Sequence, residues 1–194
     1  MPKIILASRS KARQKLLRQI GLRFITAESS VKESRLIKTD CRGLVIGNAL
    51  KKARDVAKRY GSGIVIGADT AVLVGARLIG KPKDLKDAYR TLRLLSKKPQ
   101  WVYSGIAVIN IDTGKTFTDY AKTKVYMYRL SGKDIKNYFK SVSPLDKAGS
   151  FDIQGRGGLF VERIEGCFYN VVGLPLAKLA KLLKKAGMDV FLTK

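Results

Sequence analysis

Asp69 ends the apolar stretch Gly63–Gly67 through Ala68, and Thr70 follows it. An acid at the end of a buried strand stands at the carboxyl edge of a sheet, where open α/β folds bind their ligands. There it could take a proton from water or hold a hard metal ion. The same place suits a turn-former before Thr70, and position alone leaves both readings open. Ser8, Ser10 and Arg13 mark a second place, the junction between a first strand and a first helix. Free backbone N–H groups and the helix dipole favour a phosphate there. Hydroxyls donate to its oxygens, and Arg13 could grip them bidentately. Ser10 also reads as a plain N-cap and Arg13 as surface charge. Three further polar side chains stand out more weakly. Lys81 sits in the turn Gly80-Lys81-Pro82, and Lys52 lies on the polar flank of a long helix, where a solvated Lys is ordinary. Gln154, in a Gly-rich loop, is a neutral amide suited to base edges.

Counting what is absent narrows the chemistry. The 194 residues include no His and two Cys, Cys41 and Cys167. A Ser-His-Asp triad, a Cys-His pair, a His-ligated zinc and a four-thiolate site are therefore excluded. No Gly-x-Gly-x-x-Gly follows the first strand, and no Walker-type Gly-x-x-x-x-Gly-Lys-Ser/Thr loop occurs, since Gly114-Lys115-Thr116 has Ile109 where that loop needs its first Gly. An enzyme built from this chain works with carboxylates, Lys, Arg, hydroxyls or an oxygen-ligated metal.

Lys and Arg number 39 against 15 Asp and Glu, a formal net charge of +24. That favours anionic partners: nucleic acid, a membrane surface or a small polyphosphate. The basic residues come in pairs such as Lys51-Lys52, Lys97-Lys98 and Lys184-Lys185, and never in a long block. Tyr and Trp are scattered, without the stacking motif of an RNA-recognition module. No apolar run approaches the ~18 residues that span a membrane, and the opening segment is too short for a signal sequence. We therefore expect no membrane association, a cytoplasmic, reduced setting and two inert thiols.

These side chains need a scaffold, and the pattern supplies one. Lys3–Ala7 reads as a buried strand. Ser10 caps a helix with Ala12, Leu16, Leu17 and Ile20 on one face, which Gly21 ends. A strand is expected over Leu22–Thr26, then a polar irregular stretch, Ala27–Asp40, holding Glu28 and Glu33. A long helix follows over Arg42–Tyr60. Ala71–Val74 and Arg77–Ile79 read as a hairpin. Asp84 caps a helix to Leu95, Trp101–Ile111 and Lys115–Tyr128 read as long strands, and Ser131 opens a capping box. Gly149–Gly158 precedes a strand at Leu159–Ile164. Pro175 starts a helix to Ala186, and Asp189–Leu192 reads as a last strand. Helices alternate with strands and hairpins, so the class is α/β or α+β with a mixed sheet.

Taken in order, the segments resemble one family. Leu6-Ala-Ser-Arg-Ser-Lys-Ala-Arg-Gln-Lys-Leu-Leu17 is similar to the opening Ala-Ser-x-Ser-Pro-Arg-Arg-x-x-Leu-Leu of the Maf family of nucleoside triphosphate pyrophosphatases. Lys52-Ala53, Gly67-Ala-Asp-Thr70, Gly80-Lys-Pro82, Asp146-Lys-Ala-Gly149, Ile153-Gln-Gly155 and Asn170-Val-Val-Gly-Leu-Pro-Leu176 follow in order and spacing. The resemblance runs nearly end to end and implies one Maf-like domain over residues 1–194. It also implies a two-lobed mixed sheet flanked by helices, with a deep central cleft, like that of inosine triphosphatase.

By the same resemblance the chain hydrolyses a nucleoside triphosphate to the monophosphate and pyrophosphate, with Mg²⁺ or Mn²⁺. Asp69 is then the general base, and Glu33 and Asp69 hold the metal. Ser8, Ser10, Arg13, Lys52 and Lys81 bind the triphosphate, while Thr70 and Gln154 read the base. Ala-Asp-Thr at 68–70 is similar to the branch acting on dTTP and UTP, so dTTP, UTP or modified pyrimidine nucleotides are the expected substrates. That branch has Pro-Arg-Arg where this chain has Lys11-Ala12-Arg13. The first Arg, associated with substrate choice, is thus replaced by Ala12, and Lys11 points elsewhere on the helix without a planar fork. The partner is a small nucleotide rather than a specific nucleic acid, and a homodimer is expected. Other readings of the charge are a nucleic-acid-binding module or a cell-division regulator, both without turnover.

Overall fold

Ile4–Leu6 is buried at every residue, as a strand paired on both sides and covered on both faces requires. The computed structural model describes residues 2–34, 40–145 and 147–192; Asp146 of the quoted motif lies outside them. Its elements begin with β1 (Ile4–Leu6), α1 (Lys11–Gln19), β2 (Ile25–Thr26), α2 (Cys41–Ala57), β3 (Ile64–Val74), β4 (Arg77–Ile79) and α3 (Leu85–Leu95). They continue with β5 (Gln100–Asn110), β6 (Thr116–Met127), α4 (Gly132–Ser141), β7 (Val161–Glu165), α5 (Phe168–Val172) and α6 (Leu176–Lys185). The class is mixed α/β, as the sequence pattern requires. No helix among the described residues is long and apolar enough to cross a membrane.

The chain divides into two compact units. The first comprises Met1–Thr70, Ser104–Ala121 and Gly173–Lys194. Within it β1 pairs in parallel with β2 and with β3, Ile5 standing opposite Ile25 and Val65. β3 is followed in the sheet by β5 and β6. A core of Ile5, Ala49, Ala53, Val56, Val65, Ala107 and Ile109 joins α2 to these strands. Small residues dominate the contact because α2 lies almost flush on the sheet. A Cβ on Gly67 of β3 would stand 2.2 Å from the Ala49 carbonyl oxygen, and one on Gly105 of β5 would stand 2.3 Å from that of Val45. Both positions exclude any side chain.

The second unit comprises Ala71–Tyr103 and Lys122–Val172. The hairpin forms where the pattern placed it, with Val74 opposite Arg77, and β7 lies antiparallel to β6, Val125 opposite Ile164. Val72, Val74, Val102, Val125 and Met127 face Leu92 and Leu95 of α3 and Ile135 and Tyr138 of α4. Phe160 meets the Tyr138 ring edge-on, with centroids 4.9 Å apart. Asp84 caps α3, and Ser131 and Asp134 close the capping box of α4 as expected.

Three expectations about elements fail. The strand expected over Leu22–Thr26 shrinks to Ile25–Thr26, because Leu22 is drawn back into the preceding helix end by a bond from its N–H to the Leu17 carbonyl. Asp189–Leu192 is not a strand: Val190–Leu192 forms a 3-10 turn, with the Asp189 side chain capping the Phe191 N–H. The long helix spans Cys41–Ala57, ending three residues before Tyr60.

Candidate active site

β3 does not stop at Asp69. It continues to Val74, so the acid stands in the middle of a strand and not at a sheet's carboxyl edge. Asp is disfavoured in strand interiors, and here two side chains from one helix hold it there. Asn48 and Lys52 are one turn apart on α2 and share its inward face. The Lys52 ammonium donates to Asp69 Oδ1 at 2.8 Å, and the Asn48 amide donates to Oδ2 at 3.0 Å. Each carboxylate oxygen thus has its own donor.

Lys52 is not the solvated cation its flank position suggests. Its side chain is 10% exposed and donates also to the Ala68 carbonyl at 3.3 Å. On its other side it meets Glu33 Oε1 at 2.6 Å. One ammonium therefore joins both carboxylates that the resemblance singles out. A buried charge is tolerated only with such partners, which is why Lys52 turns inward despite its type. Glu28, the other acid of that stretch, instead meets Arg9 at 2.6 Å on the surface.

Asn48 has a second task. Its Oδ1 accepts from the Ser34 N–H and its Nδ2 donates to the Ser34 carbonyl, both at 2.9 Å. This two-way clamp fixes the backbone next to Glu33 and, through the same side chain, the Asp69 carboxylate. Pattern reading missed it, since an Asn inside a helix registers only as a weak helix former. The available signal was its spacing of four from Lys52. With Asp69 in the role the resemblance gives it, Asn48→Ala should lower kcat by roughly 10- to 100-fold with little change in KM, because misalignment of a reacting group costs rate steeply. A purely structural role would lower the melting temperature and leave the kcat of the folded fraction intact.

The first strand-to-helix junction is also built inward. Ser10 caps α1, accepting from the Arg13 N–H at 3.4 Å. Arg13 is buried, contrary to a surface role, and three of its donors are engaged. Nε donates to the Gly173 carbonyl at 2.9 Å, and the two terminal nitrogens to Ser8 Oγ and Thr70 Oγ1, each at 3.0 Å. Burial pulls the guanidinium below its ordinary pKa, opposed by Asp69 and then Glu33. Ser8 Oγ also accepts from the Ser10 N–H at 3.3 Å, which leaves its O–H to donate outward. Thr70 Oγ1 lies 2.9 Å from Ser104 Oγ and donates to the Gly173 carbonyl at 3.4 Å. Its hydroxyl is occupied within the scaffold, and Ser104 is a partner that sequence pattern did not single out. Ala12 is half-buried on α1.

Seven of the sequence candidates thus meet in the first unit: Ser8, Ser10, Arg13, Glu33, Lys52, Asp69 and Thr70. Lys81 and Gln154 belong to the second unit. Lys81 is exposed just past β4, and Gln154 is half-buried in a loop where its N–H donates to Asp152 Oδ1 at 3.0 Å. Among the described residues no three His, Cys, Asp or Glu side chains gather as a metal site. Cys41 is buried, and burial, Asp40 and Asp69 push its thiol up to about 11, so it stays protonated at neutral pH.

The pattern of the family described as Maf-like protein matches residues 3–186. The dTTP/UTP pyrophosphatase of Methanosarcina barkeri is 45% identical over 192 residues, 98% of either chain. That of Clostridium botulinum strain 657 is 43% identical over 194 residues, 98% of this chain and 100% of its own. Among solved structures, the Staphylococcus aureus Ham1 protein aligns with 66% of this chain and 72% of its own, at 16% identity and a TM-score of 0.46.

Proposed function

The chain belongs to the Maf family, and from that premise we propose that it hydrolyses dTTP and UTP to the nucleoside monophosphate and pyrophosphate. The relatives carrying that activity in their names match it over nearly the full length. The observation that supports a hydrolase most directly is the junction of Asp69 and Glu33 at Lys52, with Asn48 on the remaining Asp69 oxygen.

In this reading Asp69 accepts a proton from the water that attacks the α-phosphorus. Asn48 and Lys52 fix the carboxylate's plane, so that its remaining lone pairs point in one direction. Ser8 and Ser10 donate hydroxyl hydrogen bonds to phosphate oxygens at the N-terminus of α1, where free N–H groups and the helix dipole add attraction. Arg13 acts as a positioning residue for Ser8, and its buried charge contributes to the positive field. Preplaced cations of this kind stabilise the charge that develops on the phosphate, commonly the largest contribution in phosphoryl transfer.

Glu33 and Asp69 also fit a divalent cation. Both carboxylates converge on the Lys52 ammonium, so a divalent cation would use the oxygen lone pairs that Lys52 and Asn48 leave open. Mg²⁺ is typically held by one or two carboxylates completed by substrate phosphates. When bound, Mg²⁺ or Mn²⁺ would neutralise phosphate charge and make water a stronger acid. Measuring pyrophosphate released from dTTP, UTP, CTP and GTP with Mg²⁺ or Mn²⁺ tests the reading. Turnover of none of them would end it.

Ala12 bears on specificity, since it stands where the dTTP/UTP branch has Arg. Ala12→Arg should raise kcat/KM for dTTP and UTP over CTP and GTP by about tenfold, the worth of one charged hydrogen bond. An unchanged ratio would show that position 12 does not select the base.

A further inference from the structure

In the second unit one face of the sheet carries aromatic rings interleaved with cations. Strand alternation sends Gln100 and Val102 of β5, and Thr123, Val125 and Met127 of β6, into the interior. The opposite face receives Trp101 and Tyr103 from β5, Lys122, Lys124 and Tyr126 from β6, and Arg163 and Glu165 from β7. Register confirms the neighbours on it: Lys124 stands opposite Glu165, and Tyr126 opposite Arg163. Lys122 and Arg163 are exposed, and Trp101, Lys124 and Tyr126 are half-buried. Just past β6, Tyr128 is 56% exposed.

The cations lie over the rings. Lys122 Nζ is 5.1 Å and Lys124 Nζ 5.5 Å from the Trp101 ring centre. Tyr126 has Lys124 Nζ at 5.0 Å and the Arg163 guanidinium at 3.6 Å. Arg163 also meets Glu162 at 3.2 Å and Glu165 at 3.5 Å.

We propose that this face binds single-stranded nucleic acid, bases stacking on Trp101 and Tyr126 while Lys122, Lys124 and Arg163 take the phosphates. The rings are half-buried, covered on this face by the partly or fully exposed side chains of Lys122, Lys124 and Arg163. They are spaced along adjacent strands, the arrangement that sequence-tolerant stacking platforms use. Charge complementarity favours a polyanion, since Lys122, Lys124 and Arg163 outnumber the two acids beside them, Glu162 and Glu165, and the chain carries +24 overall. The present occupants are displaceable. Exposed cation–π contacts and exposed ion pairs are both weak, whereas a stacked base is held more strongly, and each displaced cation then has a phosphate beside it. The sequence shows the rings only as scattered Trp and Tyr; the β5–β6–β7 register is what aligns them. This binding does not rest on the hydrolase reading.

Fluorescence anisotropy of the full-length protein with labelled 12-mers of dT and U tests it. Saturable binding is expected, with affinity falling against salt at a log–log slope of about −2 for three phosphate contacts on a single strand. Trp101→Ala and Tyr126→Ala should each weaken binding at least fivefold, while Trp101→Phe, which keeps a ring, retains most of it. A duplex of the same length should bind more weakly than the single strand. Equal affinity in the Ala variants, or a preference for duplex, would mean diffuse surface charge and overturn the proposal. It also fails if ultracentrifugation shows that Trp101→Ala instead dissociates an oligomer, or if the Ala variants lose triphosphate hydrolysis while still binding the 12-mers.

Discussion

Asp69→Asn is expected to slow pyrophosphate release from dTTP and UTP by about 10²- to 10⁴-fold, the usual contribution of a positioned general base. The substitution is nearly isosteric, and the carboxamide oxygen can still accept from Lys52. Its amino group replaces the oxygen that accepted from Asn48, so one hydrogen bond is lost at a cost of about 1 kcal/mol. The Lys52 ammonium also keeps Glu33 at 2.6 Å, so no buried charge is orphaned. Circular dichroism should therefore show an unchanged fold, with a melting temperature within a few degrees of the parent. A non-hydrolysable triphosphate analogue should still bind, since Ser8, Ser10 and Arg13 are untouched. Near-normal turnover would remove Asp69 from the role of base.

Lys52→Met should act on both stability and rate. Met keeps an unbranched stem of similar length, so the packing of α2 against β3 is largely preserved. What disappears is the charge between Asp69, 10% exposed, and Glu33, 53% exposed. Removing one partner of a fully buried ion pair costs about 3–5 kcal/mol. Glu33 is half solvated, so a loss near the lower end, about 3 kcal/mol, is expected. For a chain of this size that lowers the melting temperature by roughly 10 °C. Turnover should fall with it, because Asp69 loses the donor that fixes Oδ1. The double variant Lys52→Met with Asp69→Asn should be less destabilised than the two single effects summed, since the two side chains share one interaction. Strict additivity, or an unchanged melting temperature in Lys52→Met, would mean that the ion pair is not what holds this region.

Much of the scaffold was legible because local chemistry agreed with the final structure. Ser10, Asp84 and Ser131 cap the helices they mark, and Ala71–Val74 and Arg77–Ile79 pair as the hairpin their pattern signals. These features depend on residues a few positions apart. The failures share the opposite character. Asp69 reads as a strand end because Asp opposes strand propensity, and only Asn48 and Lys52, distant in sequence, reverse that preference. Lys52 reads as solvated because its burial depends on two acids, 17 and 19 residues away. Arg13 reads as surface or as a phosphate fork, yet its partners include the Gly173 carbonyl, 160 residues along the chain. The helix at Phe168–Val172 went unread, being five residues long and ending in two β-branched ones. The candidate site residues were thus named in order and type through the family resemblance. Their mutual bonds, which decide what each one does, were not.

The flush seating of α2 on Gly67 and Gly105 carries a lesson for engineering. Replacing glycine with alanine is a standard route to thermostability, since it stiffens the unfolded chain. At these two positions the added methyl would collide with helix backbone, at 2.2 Å and 2.3 Å, and not with a side chain that could step aside. Any relief must lift the whole helix, and Asn48 and Lys52 ride on it. A stabilisation library that admits either exchange would therefore select against catalysis and stability together, through residues that touch no substrate.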